Sequence, residues 1–216
     1  APAALIPLLR TLKGNFRLVA QGEALPDFDA HCPLMSLPLA FNTTLKTIPA
    51  ENPYLSVDPL LRRAWQARLG EKRRPRIGLA WSGNPANKND RNRSLPLSRL
   101  VPYLSPAFDY HVLQKVIRPA DAAVLRDNPR FHRHAEALTD FAETAALIAE
   151  MDLILSVDAS IAHAAGALGK PVWILLPYSP DWRWLTERSN SPWYPTAHLF
   201  RQGRPGEWGG LLAKVR

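Results

Sequence analysis

The chain has 216 residues, 46% of them hydrophobic, enough to fill the core of one large domain and to exclude a disordered chain. Lysine and arginine outnumber aspartate and glutamate by 27 to 19, and the net charge of +8 favours anionic partners without naming one. Cys32 is the only cysteine, so no intrachain disulfide or cysteine-built zinc site can form, and no stretch reaches the roughly 20 apolar residues of a membrane span.

The first predicted element is a helix over residues 3–12, beginning with the apolar run Ala3-Ala4-Leu5-Ile6-Pro7-Leu8-Leu9. Pro7 interrupts the run, no basic segment precedes it, and Arg10, Lys13 and Gly14 follow where a signal peptide has a small-residue cleavage site. A cytoplasmic location is the simplest reading, and the opening at Ala1 reads as an excerpt of a longer protein. A strand over residues 16–20 and a proline-studded stretch from Pro26 to Pro49 then suggest the closing part of an α/β unit. Asp58 as N-cap and Pro59 at the first helical position predict a helix through Leu69, followed by a basic linker over residues 70–74.

From Arg76 onward short apolar strands alternate with helices, the pattern of βαβ units and a mainly parallel sheet. Strands are expected at residues 77–81, 110–114, 133–138, 153–157 and 172–176. Helices are expected at residues 98–104, 119–127, 141–150 and 161–168. The fold class is thus α/β, a Rossmann-like parallel sheet over residues 73–216, with residues 1–72 a remnant of a partner α/β domain plus a linker helix.

Two segments concentrate chemistry. In Met151 to Pro177 a buried strand ends at Val157, a tight turn Asp158-Ala159-Ser160 follows, and a small-residue helix runs toward Gly169. Free N–H groups at that helix start, the positive end of the dipole and the Ser160 hydroxyl together make an anion site. The bland alternative is that Asp158 and Ser160 only cap the helix. His163, three residues after Ser160, lies on nearly the same helix face and is placed to donate to an anion, unless it is an ordinary core histidine.

In Arg76 to Ser94 a strand runs into a loop of Gly, Asn, Ser and basic residues, at the strand end where open α/β sheets bind ligands. Gly83 allows close backbone approach, and Lys88, Arg91 and Arg93 are candidate phosphate cations. The segment has neither P-loop nor dinucleotide-fold glycine spacing, and a solvated charged loop is its bland alternative. Gln114, Lys115 and the cap around Thr139 and Asp140 end two further strands on the same edge. The basic residues are spread along the chain and not gathered on one element, which argues against nucleic acid. No carboxylates and histidines stand at metal-ligand spacing, so no metal is expected.

The run Asp158 to Val172, D-A-S-I-A-H-A-A-G-A-L-G-K-P-V, resembles the signature of glycosyltransferase family 9, whose members include heptosyltransferases of bacterial lipopolysaccharide assembly. The loop W-S-G-N-P-A-N-K-N-D-R-N-R-S and the segment P-Y-S-P-D-W-R-W are more similar to a branch found at the C-terminus of tetratricopeptide-repeat proteins. The resemblance covers about residues 76–203. It implies the C-terminal, nucleotide-sugar-binding half of a GT-B fold, with a nucleoside diphosphate sugar as donor, no cofactor and an unspecified acceptor.

It further implies a donor site of Ser82, Gly83, Asn84, Lys88, Gln114, Lys115, Asp140, Phe141, Asp158, Ala159, Ser160, Ile161 and His163. Lys88 and His163 are expected to stabilise the leaving diphosphate. Ala159 departs from the Thr or Ser usual at its position. The family's general base belongs to an N-terminal domain, so the fragment alone is expected to be inactive. Rival readings are a nucleotide-sugar epimerase on the same scaffold, which lacks its acid/base pair here, and a non-catalytic nucleotide-binding or interaction module.

Overall fold

Short aliphatic runs become strands where each finds a neighbour, and here every neighbour is parallel. The computed structural model describes residues 1–215. Its sheet comprises β1 (Arg76–Ala80), β2 (Asp109–Val112), β3 (Phe131–Arg133), β4 (Leu153–Val157), β5 (Val172–Leu176) and β6 (Ala197–Arg201). The order is β3-β2-β1-β4-β5-β6, with all five pairings parallel. This is the doubly wound, Rossmann-like order, in which strand direction of travel reverses between β1 and β4 and opens a crevice at their carboxyl ends. β1, buried throughout, aligns Ile77 with both Tyr110 and Leu153.

The described residues contain nine α-helices: α1 (Ile6–Leu9), α2 (Leu37–Ala40), α3 (Pro59–Leu69), α4 (Asp90–Arg93), α5 (Leu97–Leu100), α6 (Pro119–Arg126), α7 (Phe141–Ala149), α8 (Ser160–Ala167) and α9 (Trp208–Leu212). Alternating strand residues feed two cores. One gathers Ile154, Val172, Ile174 and Leu176 with Leu8, Trp65, Leu147, Ile148 and the small residues of α8. The other gathers Ile77, Leu79, Leu155 and Leu175 with Leu97, Leu100, Leu125, Trp208 and Leu211. Helices therefore cover both faces, as a parallel sheet requires.

Asp58 caps α3 as expected, its Oδ1 accepting from Leu60 N–H at 2.7 Å with Pro59 in the first turn. At the other end of α3 the buried Arg76 guanidinium donates to the carbonyls of Leu69 and Gly70 at 3.2 and 2.8 Å. The helix is tied to α7 by Trp65 Nε1 donating to Glu143 at 2.7 Å and by an Arg62–Glu150 ion pair at 2.7 Å.

The outer side of β6 is occupied. Leu199 N–H donates to Ser189 O at 2.6 Å, Asn190 and His198 form an antiparallel bridge, and Arg201 donates to the carbonyls of Arg188, Leu185 and Trp184. At the opposite edge β3 is only three residues long.

Several sequence expectations need correction. Residues 16–20 form no strand: no other strand lies beside them, Val19 O accepts from the N-terminal ammonium, and Phe16 is half exposed. The helix expected over 3–12 is a 3-10 turn followed by α1, because Pro7 removes a backbone donor. The strand expected near 133–138 lies earlier, at β3, and residues 134–138 turn instead, with His134 O accepting from Ala137 and Leu138. β6, α2, α4 and α9 are elements that no sequence expectation covers.

Candidate functional site

The reversal between β1 and β4 positions a cleft of about 710 Å³ at the carboxyl edge of the sheet. Its walls come from four strand ends: Ser82, Gly83 and Asn84 after β1, Leu113 to Val116 after β2, Leu138 to Phe141 after β3, and Ala159 to Ile161 after β4. Pro85, Arg93 of α4, Thr144 of α7 and the N-terminal Pro2, Ala4 and Leu5 complete the lining.

The start of α8 is bare. Ala159 is the N-cap residue and its methyl cannot accept a hydrogen bond, so no side chain caps the helix. Ser160 is therefore the first helical residue, exposed at the cleft, and the capping alternative for Asp158 and Ser160 fails. Uncapped N–H groups at a helix start are donors for an anion.

Arg93 faces this helix start. Its NH1 donates to Asp158 O at 2.8 Å, and the guanidinium lies so close over Gly83 that a Cβ there would stand 2.6 Å from NH2. Gly83 is needed for that approach, while its N–H donates to Ser94 Oγ at 2.9 Å. The guanidinium, Gly83 and the open turn of α8 put positive charge on one wall of the cleft.

The other expected residues fall into three groups. Gln114 lines the cleft, but its amide is engaged: Oε1 accepts from Trp81 and Ser82 N–H at 2.6 and 3.0 Å, and Nε2 donates to Ser82 Oγ at 2.8 Å. Asn84 and Asp140 also line it while accepting from nearby backbone, Asp140 as the N-cap of α7 at 2.8 and 3.0 Å. Lys115, Phe141, Ala159, Ser160 and Ile161 line it directly. Lys88, Asp158 and His163 do not. Lys88 is exposed on the β1 loop, and the Asp158 side chain is buried behind the turn.

His163 lies in an aromatic nest, its Nδ1 3.1 Å from Tyr194 Oη and its ring stacked 5.0 Å from Trp184. Burial lowers its pKa, partly offset by Asp158, so the imidazole is neutral near pH 7. Burial also raises the pKa of Tyr194. The nest requires Gly166, since a Cβ there would stand 2.4 Å from the Tyr194 ring. Trp182, Trp193 and Tyr194 line a separate apolar cavity of about 600 Å³ with Leu34, Met35, Pro38 and Phe41.

Of the three loop cations, Lys88, the one expected at the site, stays outside the cleft, and Arg93 enters it. The missing signal was α4, which carries Arg93 back toward the sheet while Lys88 stays on the outer turn. The contribution of Pro2, Ala4 and Leu5 is a long-range contact with no local signature.

The fold is thus a doubly wound α/β sheet with a cleft at its switch point, with Arg93 and Lys115 in the cleft lining. Residues 130–201, from β3 to β6 and including the start of α8, match the model of glycosyltransferase family 9 (heptosyltransferase), and the chain is glycosyltransferase family 9-like over this segment. Protein FlbA of Caulobacter vibrioides is 27% identical over 179 residues, which cover 80% of this chain and 30% of that protein. The chain thus spans under a third of that relative's length. Among solved structures, a family 9 glycosyl transferase of Veillonella parvula has a TM-score of 0.48 at 13% identity, over 68% of this chain and 42% of the other. The E. coli ADP-heptose lps heptosyltransferase II has a TM-score of 0.46 at 15% identity, over 76% of this chain and 56% of the other.

Proposed function

We propose that this chain is the donor-binding half of a GT-B-type glycosyltransferase, moving a sugar from a nucleoside diphosphate sugar to an acceptor. The observation that carries the reading is the meeting of Arg93 and Gly83 with the uncapped start of α8, which belongs to the family 9-like segment, in one cleft. A diphosphate there accepts hydrogen bonds from backbone N–H groups and pairs with the guanidinium. Negative charge growing on the leaving diphosphate is stabilised by those fixed donors, which is how such a site lowers the barrier to glycosyl transfer. Lys115 in the lining and Lys88, exposed on the loop outside, add further positive charge.

On this reading residues 1–72 end a partner α/β domain and residues 73–216 form the donor domain. The general base lies outside the chain, so the chain alone binds donor without turning over acceptor. The loop Trp81 to Ser94 supports placing it in the branch joined to tetratricopeptide repeats, working in the cytoplasm.

A thermal-shift panel of nucleoside diphosphates and their sugar derivatives tests the reading, since a ligand that binds only the folded chain raises its stability by RT ln(1 + [L]/Kd). At least one diphosphate is expected to raise the melting temperature of the wild type and leave Ser160→Glu unmoved, because a carboxylate at that position occupies the anion site while remaining compatible with a helix start. A flat wild-type panel, or equal shifts in a folded Ser160→Glu, overturns the reading and favours an interaction module.

A further inference from the structure

The β1 loop contains a buried carboxylate for which the donor-site reading has no use. Asp90, the first residue of α4, is 7% exposed. Its Oδ1 accepts from Ser94 Oγ at 2.7 Å and lies 3.9 Å from Arg93 Nε, while its Oδ2 accepts from Arg118 NH2. Burying a carboxylate is costly unless it is paired, so this network calls for a role.

Each partner leads to a different strand end. Ser94 Oγ accepts from Gly83 N–H in the turn after β1. Arg118 is the N-cap residue of α6, on the segment after β2. Arg93 reaches Asp158 O in the turn after β4. One carboxylate therefore ties together three of the loops that frame the cleft. Two guanidinium groups share it, which leaves one positive charge uncompensated. Arg93 Nε is buried without a hydrogen-bond partner, so the guanidinium is oriented by its bond to Asp158 O, by packing over Gly83 and by the field of Asp90.

We propose that Asp90 is a positioning residue for the donor diphosphate, holding Arg93 and the Gly83 turn in their binding arrangement before ligand arrives. The inference rests on the donor-site reading above. Its physical basis is preorganisation: a long cation already fixed against the start of α8 loses little freedom on meeting its ligand.

The test is calorimetric titration of the whole 216-residue chain with ADP and UDP, using adenosine and uridine as controls. Asp90→Asn keeps the shape of the side chain and removes its charge. It is expected to weaken diphosphate binding by about tenfold, the scale of one charge-assisted hydrogen bond, and to leave nucleoside binding unchanged. Added to Arg93→Gln, it is expected to cause a clearly smaller loss than it causes alone, because the part of its effect that acts through Arg93 is non-additive with that substitution. Equal losses for diphosphate and nucleoside, or additive losses in the double variant, overturn the inference.

If Asp90→Asn does not fold, Ser94→Ala replaces it, severing the carboxylate from the Gly83 turn with every charge retained. A diphosphate-specific loss of about threefold is then expected, and no loss overturns the proposal. Binding abolished by Arg93→Gln but kept by Asp90→Asn removes this inference alone. A wild-type chain that binds neither diphosphate overturns this inference, and a flat panel of the remaining nucleoside diphosphates then removes the donor-site reading with it.

Discussion

Arg93 and Lys88 are five residues apart in one loop, yet packing gives them different chemistry. The Arg93 side chain is 15% exposed, fixed over Gly83 and bonded to Asp158 O, whereas Lys88 is exposed beyond the cleft lining. An exposed lysine loses much rotamer entropy in reaching a ligand, so its contribution is small. Arg93→Gln is therefore expected to reduce nucleoside diphosphate affinity by about 1.5 to 3 kcal/mol, and Lys88→Ala by less than about 1 kcal/mol. Titrations of both variants against the same diphosphate check this ranking, and a larger loss for Lys88→Ala reverses it. Sequence alone identified three basic residues in a glycine-containing loop. It could not rank them, because the ranking depends on α4, a four-residue helix with no periodicity to betray it.

β2 and β3 carry their own titratable cluster. His111 Nδ1 and His134 Nε2 stand 3.1 Å apart with ring planes 5° from parallel, a geometry in which one nitrogen donates and the other accepts. His132 stacks on His111 at 4.7 Å, and Arg76 and Arg68 add positive charge nearby. Burial first, then the neighbouring imidazoles and last the arginines push His111 down to about 3 and His134 down to about 4. Unfolded, both titrate near 6.5, so the unfolded chain binds more protons across the interval below that value. Stability is complete above pH 6.5 and falls as pH drops toward 4. Replacing His134 by Gln, which hydrogen-bonds without titrating, is expected to lessen the drop in melting temperature between pH 7.5 and pH 5. An equal drop in both proteins would show that the pair does not carry the acid sensitivity.

The elements that the sequence made legible are those whose apolar runs are buried on both sides. β4, β5, α7 and the Asp58 cap of α3 fall where pattern and cap placed them. β6 was missed because His198 and Arg201 dilute a run of Ala197, Leu199 and Phe200, and α9 because Gly209 and Gly210 hide a short helix. Residues 16–20 failed in the opposite sense, being apolar enough for a strand but without a partner, which no local pattern reveals. Of the cleft, the strand-end loops were legible from topology, while the engagement of Gln114 and the seclusion of His163 depend on neighbours far away in sequence.

Seen as a single body, the sheet separates two cores that meet only through its strands, and the switch point sets where the basic cleft opens. The same sheet has two ends. A parallel sheet with bare ends would offer its unpaired N–H and C=O groups to another copy. Here the cover over β6 depends heavily on Arg201, whose guanidinium gathers three carbonyls of the segment lying along the strand. Arg201→Gln is expected to loosen that segment and produce concentration-dependent self-association, read by light scattering at a temperature where circular dichroism still reports a folded chain. Unchanged scattering at equal stability would show that the bridge at Asn190 and the bond from Leu199 suffice. At the far end, three residues of β3, two of them the exposed His132 and Arg133, leave too short and too polar a template for a foreign strand. Both edges thus give a second chain little to extend, and a sheet that is short and charged at one end and covered at the other resists growth beyond its six strands.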